Sequence, residues 1–120
     1  MLFRSYQQAE QFLQRGADRE AIDELQQVID YNPEETNAYR DLARIYMKAQ
    51  RWEEAVKALN QSLQREPTAE DYLLLTKIYM EQGKLEEARA QLNTALGMEP
   101  ASPAAETLRE ELNAKSLSRP

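Results

Sequence analysis

Three prolines recur at nearly constant intervals and constrain this chain more than any other feature. Pro33, Pro67 and Pro100 close the phrases YNP, REP and MEP, at spacings of 34 and 33 residues. Twelve residues before each stands an alanine, Ala21, Ala55 or Ala88, and four residues after each alanine a leucine, Leu25, Leu59 or Leu92. An aromatic residue precedes each alanine by nine positions, at Phe12, Tyr46 and Tyr79. Four features holding register over three copies make a repeat. A repeat of this size is one supersecondary unit that cannot bury its apolar face alone, so the copies must stack.

Inside each copy the apolar period is helical. Tyr39, Leu42, Ala43 and Tyr46 are spaced 0, 3, 4, 7, as are Tyr72, Leu75, Thr76 and Tyr79, and Ala55, Val56, Leu59 and Leu63 form a second face of the same kind. Short turns separate the paired faces: Gly16-Ala17-Asp18, Gln50-Arg51-Trp52 and Gly83-Lys84. Gly16 and Gly83 suit the left-handed residue that ends a helix. Each repeat-closing proline stops a second helix, having no amide donor and clashing with the preceding turn. The pattern predicts helices near 2–15, 18–31, 35–48, 52–64, 69–82, 85–98 and 103–115, with no window alternating as a strand. The chain reads as all-α.

These residues resemble the tetratricopeptide repeat family. Tyr39, Leu42, Ala43, Tyr46, Ala55, Leu59 and Pro67 match its signature, and Tyr72, Leu75, Thr76, Tyr79, Ala88, Leu92, Ala95 and Pro100 match it again. The first copy keeps Ala9, Phe12, Ala21, Leu25 and Pro33 but has Ser5 and Gln8 where an aromatic and a leucine would stand. The resemblance implies a right-handed α-solenoid of stacked antiparallel helix pairs, about seven helices, whose concave face binds other proteins. It also implies a single domain over 1–120, with repeats at about 2–35, 36–68 and 69–101, a capping helix at about 102–115 and a disordered tail at 116–120. Small residues such as Ala43, Ala55 and Ala88 belong where helices cross closely, since a larger side chain would overpack the contact. Both ends show modification. The first helix is made more polar by Ser5 and Gln8, and the last places Arg109 where the small residue belongs, beside Ala105, Leu108 and Leu112. Ser102-Pro103 is a good helix start, a side-chain cap followed by proline in the first turn.

Composition removes most catalytic chemistry. The chain has no Cys and no His, and so lacks thiolate nucleophiles, disulfides, sulfur-ligated zinc sites and the commonest general base. A net charge of −6 disfavours nucleic acid and anionic lipid as partners. The longest aliphatic and aromatic run, Tyr72-Leu73-Leu74-Leu75, is far short of the roughly 18 residues that mark a membrane span. The N-terminal stretch lacks the apolar core of a signal peptide. The expectation is a soluble, cytoplasmic, non-enzymatic chain without cofactor or metal. Acidic pairs at Glu34-Glu35, Glu53-Glu54, Glu70-Asp71 and Glu86-Glu87 each fall at a predicted helix start, where they oppose the positive end of the helix dipole; neighbours in sequence also point apart on a helix. Ser62 and Thr76 take small core positions and have no base beside them. Tyr39, Tyr46, Tyr72 and Tyr79 occupy packing positions, and Trp52 begins a second helix against its turn. Met47 and Met80 fit either packing or a flexible groove contact.

The residues offset from the packing stripe are those that the family's geometry turns toward the concavity. They predict a peptide-binding groove containing Tyr6 and Leu13 from the first repeat, Asn37, Arg40, Arg44 and Lys48 from the second, and Leu73, Leu74 and Lys77 from the third. Arg40, Arg44 and Lys48 follow at four-residue steps, and Lys77 repeats the place of Arg44. This basic ridge, in a protein of net charge −6, suggests a partner bearing acidic or carboxylate groups, which Arg grips with paired hydrogen bonds. Its alternative is a solvated face, with Asp41 and Glu10 close enough to neutralise part of it. Family members that clamp the C-terminal carboxylate of chaperones use Lys, Asn and Arg at set places; here Tyr6, Glu10, Asp41, Glu70 and Leu74 stand there, so that clamp is not expected. The function read from these residues is an adaptor binding a peptide or helical segment of a protein partner with roughly micromolar, salt-sensitive affinity, as a monomer or weak homo-oligomer. Two other readings stay open: a self-associating scaffold that uses Phe3 and Tyr6, and an assembly or targeting factor for a larger complex, including a membrane complex. The chain also fits a piece of a longer protein.

Overall fold

A computed structural model describes the backbone of residues 2–117 and the side chains of residues 7–117. The described residues form seven α-helices: α1 Leu2–Gln14, α2 Asp18–Tyr31, α3 Thr36–Lys48, α4 Trp52–Arg65, α5 Ala69–Glu81, α6 Leu85–Met98 and α7 Pro103–Leu117. Each begins and ends within two residues of its predicted limits. α7 runs on through Ser116 and Leu117, which the sequence assigned to a disordered tail; the remainder of that tail, residues 118–120, lies outside the described residues. Glu34 and Glu35 also fall differently. Glu35 is the residue before α3 and Glu34 precedes it, so this acidic pair stands outside the helix, while Glu53-Glu54, Glu70-Asp71 and Glu86-Glu87 do lie in first turns.

By its internal contacts the chain divides into two compact units, Met1–Glu66 and Pro67–Pro120. In the first, α1 packs on α2, α2 on α3 and α3 on α4. Its core is built from the repeat's small and branched positions: Ala9, Ala21, Leu25, Val28, Leu42, Ala43, Ala55 and Leu59 are buried. The alanines allow close helix approach and the leucines fill the layer between. Tyr39 closes the loop between α2 and α3. Its hydroxyl donates to the Pro33 carbonyl at 2.9 Å, and the Arg65 guanidinium stacks 4.7 Å from its ring centre while donating to the same carbonyl and to that of Gln61. The carbonyl left over where Pro33 interrupts the chain thus gains two donors.

In the second unit α5 packs on α6, and α7 packs on both. Met80, Ala88, Leu92, Ala105, Leu108 and Leu112 form its buried cluster, with Leu73, Tyr79, Leu85 and Leu96 against it. Met80 is therefore core, while Met47 is half-buried. Thr76 is fully buried and satisfied within its own helix, its hydroxyl donating to the Tyr72 carbonyl at 2.8 Å. Ser102 caps α7 as expected, its hydroxyl accepting from the Ala105 amide at 3.2 Å, and Thr68 caps α5 by accepting from Asp71 at 3.3 Å.

Three helix ends share one turn. α1 closes with the Ala17 amide on the Phe12 carbonyl and the Gly16 amide on Leu13, and α5 closes with Lys84 on Tyr79 and Gly83 on Met80. Gly16 and Gly83 both have φ +75°. α3 makes the same pair of bonds, Arg51 to Tyr46 and Gln50 to Met47, with Gln50 held at φ 60°. A non-glycine residue there accepts a left-handed conformation to keep the paired turn.

Candidate peptide-binding face

The two sides of α3 follow from about 100° of rotation per residue. Tyr39, Leu42 and Tyr46 occupy one side; Asn37, Arg40, Arg44 and Lys48 fall together on the other. The predicted ridge is thus a single face of one helix, and each of its cations has a partner. Arg40 is only 7% exposed and its Nη1 donates to Asn37 Oδ1 at 2.7 Å. Arg44 Nη1 lies 3.2 Å from Asp41 Oδ1, with 45% of the Arg44 side chain exposed. Lys48 reaches away from this helix: its Nζ meets Asp18 Oδ1 on α2 at 3.0 Å, with the lysine side chain 59% and the aspartate 34% exposed.

Arg40 therefore sits low on this face while Arg44 and Lys48 stand out from it. Leu13, on α1, is half-buried. The side chain of Tyr6 lies outside the described residues. In the second unit, Leu73 is half-buried against the apolar cluster, Leu74 is 6% exposed, and Lys77 is exposed. Lys77 sits one turn beyond Leu73, so α5 presents a cation beside a partly open apolar side chain.

Two partners and one burial are not evident from the sequence. Asn37 was placed in the groove but not recognised as the acceptor for Arg40, although its spacing of three allowed it. The Asp18–Lys48 pair spans 30 residues, and only the docking of α2 on α3 brings it together. Asp71 was counted as a helix-start charge, yet it is fully buried.

The opposite side of α3 borders two open cavities. One, of about 400 Å³, is lined by Asp18, Arg19, Ile22, Asp23, Ile45, Tyr46, Ala49 and Arg51. The other, of about 320 Å³, lies beside Tyr39, Leu42, Ala58 and Gln61 and also touches Tyr46. Half-buried Tyr46 separates them, with the Arg51 guanidinium 5.2 Å from its ring centre. Among the described residues, none of the predicted groove members lines either cavity. Among the described residues no group of three or more Asp or Glu side chains is placed to hold a metal ion, and no helix is long and apolar enough to cross a membrane.

Comparison with known proteins agrees with this architecture. The Arabidopsis OM64 TPR domain superposes with a TM-score of 0.87 at 15% identity, covering 95% of each chain. The first TPR of Spaghetti (RPAP3), solved bound to the HSP90 peptide SRMEEVD, gives 0.88 at 19% identity over 98% of this chain and 94% of that one. The second TPR domain of human RPAP3, solved with the HSP70 peptide SGPTIEEVD, gives 0.83 at 21% over 94% and 98%. At such identities the likeness speaks to the fold alone, an all-α solenoid of the tetratricopeptide type. No curated protein matches the chain in sequence. The profile of the tetratricopeptide repeat family matches residues 4–75 and 61–112, which take in all three repeats and most of α7, and the chain belongs to that family.

Proposed function

We propose that this protein is a non-enzymatic interaction module that binds an acidic or carboxylate-bearing peptide segment of another protein along the ridge face of α3. The observation that carries this reading is the alignment of Arg40, Arg44 and Lys48 on one face of one helix in a chain of net charge −6. Arg44 and Lys48 are the exposed members and supply the contacts; Arg40, held by Asn37, supports the charge from below. On α5 of the second unit, Leu73 and Lys77 hold the equivalent helix positions, with Leu74 largely buried. Two of the structural neighbours are bound to peptides that end in acidic residues, which supports a peptide as the class of ligand. The chain does not carry the chaperone clamp. Asp41 and Glu70 would repel a terminal carboxylate at the places where that clamp uses cations and amides.

The test is titration of a short fluorescein-labelled peptide alternating leucine and glutamate, with a free C-terminal carboxylate, followed by fluorescence anisotropy. Binding is expected in the micromolar range and to weaken as salt is raised. Arg44→Glu combined with Lys48→Glu should weaken it by at least about ten-fold, since two attractive contacts become repulsive. Unchanged affinity in that double variant rejects the ridge.

A further inference from the structure

We infer that Asp18 is a resident competitor for Lys48, a specificity-determining residue that lowers the affinity of the ridge for anionic ligands. This rests on the ridge reading above. Lys48 is 59% exposed, and among the described residues its ion-pair partner is Asp18, at 3.0 Å. A ligand carboxylate that approaches Lys48 either displaces Asp18 or binds beside it. In the first case an existing pair is lost; in the second two carboxylates share one ammonium and repel. Ligand affinity at this position is therefore a difference between two carboxylates, not the full strength of one contact.

The internal repeats show that this pairing belongs to one junction. Asp18, Trp52 and Leu85 each open the second helix of their repeat, three residues before Ala21, Ala55 and Ala88. Only the first is acidic. Lys48 in turn shares its register with Glu81, each two residues past the tyrosine of its helix, Tyr46 or Tyr79. Carboxylate and ammonium therefore coincide where α2 meets α3. Asp18 is also in the first turn of α2, where its negative charge faces the positive end of the helix dipole.

The experiment is a double-mutant cycle on the affinity of the leucine–glutamate peptide. Asp18→Asn should tighten binding about two- to five-fold, the range of an exposed ion pair expressed as an affinity ratio. Glu20→Gln, which removes the same charge from an exposed residue on the same helix turn with no ion pair among the described residues, should gain less than half as much. On a Lys48→Gln background, Asp18→Asn should bring no gain beyond that of Glu20→Gln. Circular dichroism melting of each variant confirms that these surface changes leave the fold in place. Equal gains from Asp18→Asn and Glu20→Gln, or a gain that survives Lys48→Gln, overturns the inference and leaves the ridge standing. A wild-type chain that does not bind the peptide, or Lys48→Gln and Arg44→Glu variants that bind as well as wild type, overturns the ridge itself and the inference with it.

Discussion

Ile22 and Arg89 hold the same place in their repeats, one residue after the buried Ala21 and Ala88 of the helix crossing. At the first junction Ile22 is half-buried beside Ile45, Tyr46 and Ala49 of α3, and an open cavity remains there. At the last, Arg89 donates to Asn113 at 3.3 Å and Ser116 at 3.1 Å on α7, so polar groups make the contact beside a cavity of about 300 Å³. The following helices diverge as well. α3 buries Ala38, Leu42, Ala43 and Ile45, packed between α2 and α4; α7 buries Ala105, Leu108 and Leu112, packed on α5 and α6. Where α3 has Ala38, Ala43 and Ile45, α7 has Ala104, Arg109 and Glu111, all exposed. A helix that must accept another pair is apolar and small on two sides. α7, packed on α5 and α6, keeps one apolar stripe and turns charge outward.

The harshest way to break the comparison is to remove α7. Deleting residues 103–120 uncovers Met80, Ala88 and Leu92, which cluster with Ala105, Leu108 and Leu112. Two leucines and an alanine withdrawn from burial should cost about 4–6 kcal/mol, enough to unfold the second unit. Far-UV circular dichroism should lose more helix than α7 itself contains. An unchanged melting temperature would show that α7 is an appendage.

Exchanging the residues that distinguish the two helices gives a smaller effect. Ala43→Arg forces a long charged side chain into a fully buried crossing and should destabilise the protein by about 3 kcal/mol or more. Arg109→Ala, in the same register on α7, removes only an exposed pair with Glu106 and should stay within about 0.5 kcal/mol of wild type. Urea denaturation of both variants tests the asymmetry, and similar losses would mean that α7 is packed like an interior helix.

How much of this was legible in sequence depends on the distance over which the interaction acts. Helix limits, the Ser102 cap and the left-handed Gly16 and Gly83 are local, and periodicity with turn chemistry located them. The alanines of the crossings were legible because repetition exposes a position that must stay small. Side-chain pairing was not. The four-residue spacing of Arg40, Arg44 and Lys48 puts them on one face of the helix but does not show that Lys48 also pairs with Asp18 on another helix. Nor did register alone reveal that Arg40 and Asp71 are buried, because a helix-face argument gives direction and not depth.

A last pair of changes sharpens the comparison at the turns. Gln50 holds φ 60° in the middle repeat, where the first and third have glycine at +75°. The three turns make the same amide bonds, so Gln50 keeps the geometry at the expense of crowding its own Cβ. Gln50→Gly should therefore stabilise the first unit by about 0.5–1 kcal/mol, the relief of left-handed strain being partly offset by the greater freedom of glycine in the unfolded chain. Gly83→Ala is the converse. A Cβ there would meet nothing within 4 Å, so any loss, expected at about 1 kcal/mol, comes from backbone conformation and not from a clash. Thermal melts of the two variants should move in opposite directions. If Gln50→Gly fails to raise the midpoint, the left-handed residue of the middle turn is not a strained glutamine, and the three turns are not energetically equivalent positions of one repeat.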